Sequence, residues 1–98
     1  MALSINTKDF FETIKPFKYY EEVTVYIDNT MFVEAGYEAF EEDGGVSGKT
    51  VIRDSCGEEV SLEDFMEMVK DYKVVYFEAE QILNCLDGEG VHFNIYLR

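Results

Sequence analysis

The chain has no tryptophan, one histidine, one proline and two cysteines in 98 residues, and eight basic residues against twenty-one acidic ones. Each shortage excludes something. With a single imidazole, His92, and no CxxC or Cys/His spacing around Cys56 and Cys85, an ordinary zinc site cannot be assembled. Both cysteines read as free thiols. Cys56, in "DSCG", has acidic surroundings that disfavour a thiolate nucleophile. No apolar run approaches the eighteen or so residues of a membrane span, and "MALSINTKDFF" lacks the basic start and apolar stretch of a signal peptide. The expectation is a cytoplasmic protein with no membrane association. Scarcity of Lys and Arg also argues against direct binding of DNA or RNA, whose affinity comes from neutralising phosphates.

What the chain does contain is apolar and acidic. Hydrophobic residues make up 47% and aromatics 15%, far too apolar for a disordered acidic tail. One domain spanning residues 1–98, with a modest core, follows. The net charge is −13. Residues 1–20 carry three lysines and two acids, whereas Glu34 to Asp71 carry twelve acids and three bases. The imbalance belongs to the middle of the chain.

One stretch, "EDGGVSGKT" (Glu42 to Thr50), invites a nucleotide-binding reading. A P-loop needs G-x-x-x-x-G-K-[ST] running from a buried strand into a helix. Gly48, Lys49 and Thr50 supply the ending, but the position five before Gly48 is Asp43, and "KTVIRD" downstream reads as a strand. The stretch is read instead as a glycine loop between two elements. As a calcium loop it fails too: with Gly44 at position 6, Ala39 falls at 1 and Thr50 at 12. No cofactor and no metal are expected.

Periodicity outlines the elements. "NTKDFFETIK" opens with a capping residue and predicts a helix from about Lys8 to Lys15, ended by Pro16. "EVTVYID" alternates as a strand, turns at Asp28 and Asn29, and continues in "TMFVEAGY"; "YEAFEED" fits either a strand end or a helical turn. "SLEDFMEMVKDY" is the clearest helix, capped by Ser61, with Leu62, Phe65, Met66 and Val69 on one face. "KVVYFEA" and "VHFNIYL" read as strands. "EAEQILNCLDG" spaces Ala79, Ile82, Leu83 and Leu86 as a helix, the alternative being a strand running into a hairpin. The resulting fold class is α+β: a small antiparallel sheet of about four to five strands with two or three helices on one face.

No catalytic constellation emerges. His92 shares a strand face with Asn94 and Tyr96, and Ser4, Ser47, Ser55 and Ser61 lie outside any nucleophile-elbow sequence. Glu58 with Glu59, or Glu63 with Glu67, would need a sugar cleft to act as glycosidase carboxylates. The protein is expected not to be an enzyme.

The charge itself is then the feature to explain, because −13 exceeds the magnitude of about 2 to 8 usual for a small soluble domain. A domain about 30 Å across spans roughly 18 phosphate charges of duplex DNA, a charge of the same order. Carboxylates could stand in for phosphates, with Tyr or Phe near base positions. The acidic clusters "EAGYEAFEED" and "DSCGEEVSLEDFMEMVKD" give the chain a resemblance to the small acidic inhibitors, anti-CRISPR and anti-restriction proteins, that phages and mobile elements direct at host defence nucleases. The resemblance implies a non-catalytic inhibitor acting in the host cytoplasm. It would bind the basic surface of a CRISPR effector or other nuclease through Glu34, Glu38, Glu41, Glu42, Asp43, Asp54, Glu58, Glu59, Glu63, Glu67 and Asp71. The alternative is an acidic regulatory or scaffold domain, as a monomer or homodimer, without mimicry.

Overall fold

Two hairpin units, each made from alternating apolar residues, meet through a contact that no local signal announces. The computed structural model describes residues 4–20, 22–84 and 88–98. The elements run β1 (Ile5–Asn6), α1 (Thr7–Ile14), α2 (Pro16–Tyr19), β2 (Glu22–Ile27), β3 (Thr30–Glu42), β4 (Gly45–Asp54), β5 (Glu59–Val60), α3 (Leu62–Val69), β6 (Lys73–Asn84) and β7 (Gly88–Leu97). All strands join one sheet in the order β1-β6-β7-β2-β3-β4-β5.

The expected small antiparallel sheet of four to five strands is therefore overturned. Among the described residues, seven strands form one mixed sheet, and it dominates the molecule, with two eight-residue helices and the single turn α2 beside it. Hairpins β2–β3, β3–β4 and β6–β7 are antiparallel, as short turns require. The C-terminal strand β7, however, lies parallel to β2 at the centre, pairing Val23 with Phe93, Val25 with Ile95 and Ile27 with Leu97. Apolar alternation on both strands sets that register, since a one-residue slip would turn every core residue to solvent. The direction of the pairing is a tertiary choice.

Local chemistry explains most ends. Asn6 caps α1, its Oδ1 accepting from the backbone N–H of Lys8 at 2.9 Å and Asp9 at 3.3 Å, and Ser61 caps α3 through Asp64 N–H at 3.1 Å. Asp28 and Asn29 take φ of 51° and 65°, the left-handed values a two-residue hairpin turn needs. The glycine-rich stretch is a tight hairpin: Asp43 and Gly44 turn, with Gly44 at φ 97°, and Gly45 to Thr50 already belong to β4. "YEAFEE", Tyr37 to Glu42, is the second half of β3. The helix expected over "EAEQILNCLDG" is a strand as far as Asn84, because β6 pairs with β7 up to Asn84↔Gly88. Ala79 sits opposite Phe93 there, so ladder pairing overrides the helical spacing. Cys85, Leu86 and Asp87 lie outside the described residues.

Among the described residues, the helices cover one face of the sheet. Phe10 and Phe11 of α1 and Phe65 and Val69 of α3 pack on Val23, Val25, Val33, Ala35, Ile52, Phe93 and Ile95, all buried. Phe11 meets Phe65 edge-on with ring centroids 5.3 Å apart, and Phe17 does the same at 5.4 Å. Full burial of each such side chain is worth about 1.5–3 kcal/mol. Thr7, wholly buried, donates its hydroxyl to Tyr72 O and ties α1 to the end of α3. Hairpins β3–β4 and β6–β7 extend beyond the start of β2 as two arms, and the molecule measures 47 × 28 × 25 Å. Its radius of gyration, 14.2 Å, exceeds the roughly 13 Å of a compact domain this size.

Candidate functional site

In a strand, successive side chains point to opposite faces, so burial of Val23, Val25, Phe93 and Ile95 beneath the helices sends Glu22, Thr24, Tyr26, His92, Asn94 and Tyr96 to the other side. The register arranges this open face in rows. Tyr76, Tyr96, Tyr26 and Met31 form one row, across β6, β7, β2 and β3. Glu78, Asn94, Thr24, Glu34 and Arg53 form the next. Glu80, His92, Glu22, Gly36 and Val51 form a third.

The tyrosine row is a continuous aromatic strip. Tyr26 and Tyr96 stack with centroids 4.7 Å apart and planes 9° apart, and Tyr76 tilts against Tyr96 at 5.5 Å. Burial pushes the Tyr96 phenol above its ordinary range, and the neighbouring Glu78 carboxylate adds to the shift. Tyr76 donates its hydroxyl to Glu78 at 3.3 Å.

Beside it, Gly36 leaves a concavity of about 350 Å³, floored by Gly36 and the buried Val51 and walled by Glu22, Glu34, Glu38, Arg53 and His92. A side chain at Gly36 would enter open space, with no atom within 4 Å of its Cβ. Arg53 grips Glu38 with two parallel bonds of 3.0 and 2.9 Å and donates to Gly57 O at 2.9 Å. That bond from Arg53 holds the Glu38 carboxyl below its usual value and the guanidinium above its own. His92 Nε2 lies 2.8 Å from Thr24 Oγ1, while Nδ1 stands 3.7 Å from Glu80 and 3.9 Å from Glu22. Hydroxyl, imidazole and carboxylate thus follow the order of a nucleophilic triad, found through Thr24 and not through any of the serines. Two requirements are unmet. Both carboxylates are beyond hydrogen-bond reach of the ring, and β2 is paired on both sides, so ladder bonds occupy the amides an oxyanion hole would use. The carboxylates of Glu22, Glu34 and Glu38 outnumber the one guanidinium, Arg53, in the lining of the cleft.

The residues named from the sequence fall in four places. Glu34 and Glu38 are in the cleft. Glu41, Glu42 and Asp43 are at the tip of the β3–β4 arm, the Glu42 side chain lying outside the described residues. Asp54 Oδ1 accepts from Cys56 N–H at 2.9 Å and Glu58 N–H at 3.0 Å, so it shapes the β4–β5 turn. Glu59 pairs with Lys49 at 3.4 Å, and Glu63, Glu67 and Asp71 belong to α3 and its end, on the opposite side of the sheet. Glu22, Glu78, Glu80 and Gly36 were not singled out, and the tyrosines only as a residue type near base positions. Their signal was present: "EVTVYI", "YFEAE" and "HFNIYL" alternate, and their polar members are the ones on the open face.

No family model, curated protein or solved structure matches the chain. Among the described residues, no group of three or more His, Cys, Asp or Glu side chains is placed to hold a metal ion, and no helix is long and apolar enough to cross a membrane.

Proposed function

We propose that this is a non-catalytic binding protein whose open sheet face docks on the basic surface of a nucleic-acid-handling protein, of the CRISPR-effector or restriction-nuclease class, and keeps nucleic acid out. The observation that carries this reading is the gathering of Glu22, Glu34, Glu38, Glu78 and Glu80 with Tyr26, Tyr76 and Tyr96 on one face of the sheet, which none of the described helices covers. Carboxylates attract Arg and Lys, and an aromatic strip accepts guanidinium groups by stacking. Strand spacing of about 4.8 Å and same-face spacing of about 6.7 Å make the array rigid and dense, as a substitute for a phosphate track needs to be.

The test separates this face from bulk charge. A labelled deca-arginine peptide is titrated by fluorescence anisotropy into two triple variants that remove equal charge. Glu22→Gln/Glu34→Gln/Glu80→Gln should lose binding, while Glu63→Gln/Glu67→Gln/Asp71→Gln should keep most of it. Binding should also weaken with salt as the screening length falls from ~10 Å at 0.1 M to ~3 Å at 1 M. On a panel of purified CRISPR effectors and restriction nucleases, preloading with nucleic acid should then block this protein from its target. Equal losses from the two triple variants, or simultaneous binding with nucleic acid on every nuclease inhibited, would sink the proposal.

A further inference from the structure

On the opposite side of the sheet, between α1–α2 and α3, runs a solvent-open groove of about 1160 Å³. Its apolar floor is made by Phe11, Phe17, Ile52, Val60 and Met66, with Leu62, 53% exposed, on its rim. Five of the six lysines in the chain, Lys8, Lys15, Lys18, Lys49 and Lys70, line it. Four glutamates, Glu12, Glu59, Glu63 and Glu67, line it with them. The groove is thus locally positive by one charge in a protein of net −13. Lys8 pairs with Glu12 at 4.0 Å, Lys49 with Glu59 at 3.4 Å, and Lys70 with Glu67. All these side chains are more than half exposed, so an incoming carboxylate can replace the glutamate at little cost.

From this juxtaposition of an apolar floor with most of the lysines, we infer a second docking site, distinct from the acidic face, that takes an acidic amphipathic helix of a protein partner. Size points to a helix. A cylinder about 10 Å wide rising 1.5 Å per residue fills the groove with roughly ten residues, close to three turns. The volume exceeds the ~300–1,000 Å³ of small-molecule sites, which also enclose their ligands. The groove is walled by α3 on one side and by α1–α2 on the other, and a guest helix would lie on both walls at about 8–10 Å between axes. Charge decides the sign. Lys15 and Lys18 belong to the α1–α2 corner and Lys70 to the end of α3, so acidic flanks on the guest have lysines on both helical walls of the groove. Apolar anchors at i, i+3, i+4 and i+7 would lie on Phe17, Val60 and Met66.

The experiment uses the whole protein and two labelled twelve-residue helical peptides with identical Leu anchors, one flanked by Glu and the other by Lys. The acidic peptide should bind with a dissociation constant in the micromolar range, against the field of the whole molecule, and shift the amide resonances of Phe17, Val60 and Met66. The basic peptide should shift Tyr26 and His92 instead. Lys15→Glu/Lys18→Glu should weaken the acidic peptide about tenfold or more, and Leu62→Ala should weaken it as well, both with an unchanged circular dichroism spectrum. Glu22→Gln/Glu34→Gln/Glu80→Gln should not weaken it, which keeps this site's failure separate from that of the acidic face. The inference falls if the acidic peptide binds no better than a scrambled one, or if its shifts map to the open face. It also falls if dodecanoate shifts the groove residues and the peptide does not, since the groove is then a site for anionic amphiphiles.

Discussion

Replacing Gly36 by valine should stabilise the fold and impair binding, two effects of opposite sign from one change. Gly36 lies mid-strand in β3 between Glu22 and Val51, without the positive φ that would bar a side chain. Glycine in a strand costs about 0.5–1 kcal/mol in unfolded-chain entropy, and valine lies at the favourable end of a strand scale spanning about 1 kcal/mol. The added methyl groups also rest beside Val51, giving an expected gain of about 1 kcal/mol. At about 2.1 cal/mol/K per residue the unfolding entropy is near 0.2 kcal/mol/K, so the melting temperature should rise about 5 °C. The same methyl groups fill the floor of the 350 Å³ cleft and hold a guest cation away from Glu22, Glu34 and Glu38. Thermal denaturation by circular dichroism measures the first effect, and deca-arginine anisotropy measures the second, expected at about tenfold. A lower melting temperature would show that Gly36 is required for close packing. A higher one with undiminished binding would show that the cleft lies outside the interface.

Two further outcomes follow from the core and the titrating groups. Phe65→Ala, at a wholly buried ring held between Phe11 and Phe17, should cost about 3–5 kcal/mol, lowering the melting temperature by roughly 15–25 °C; a fall under about 5 °C would place the ring outside the core. In ultraviolet titration Tyr96 should ionise above the ordinary value of 10.0, because burial and Glu78 disfavour its phenolate. Its folded-state value being raised, stability present below pH 10 should decline as pH rises through it. The Glu38–Arg53 pair acts at the other end. A Glu38 value held below the ordinary 4.5 means stability present above that pH and lost as pH falls through the folded value. Arg53→Met should flatten the acid side of the stability profile, and an unchanged acid limb would refute this role.

Much of the local structure was legible in sequence because its causes are local. Asn6 and Ser61 announce helix starts by offering oxygen to bare amides, and Asp28-Asn29 announces a turn by tolerating positive φ. Alternation in "EVTVYI" and "HFNIYL" separates a core face from a polar one before any partner strand is known. The stretch read as a glycine loop is shorter than expected: Asp43 and Gly44 turn, and Gly45 to Thr50 are strand. The two-residue strands β1 and β5 carry no period at all. "EAEQILN" carries a helical one that its pairing with β7 overrules.

The candidate sites belong to tertiary structure. Charge of −13, the lysines near the N-terminus and the polar members of each strand were determined by the sequence alone. Acidic runs such as "FEED" and "SLEDFMEMVKD" are conspicuous, yet they end up at a hairpin tip and on a helix. Glu22, Glu34 and Glu80, inconspicuous and 12 to 58 residues apart, share a face because β7 inserts between β6 and β2. The same insertion brings Tyr26, Tyr76 and Tyr96 into one strip, and helix packing on the far side collects Lys8, Lys15, Lys18 and Lys70 around one groove. Side-chain direction in a strand is a local property with period two, whereas the neighbour across the ladder is chosen by burial summed over the whole chain.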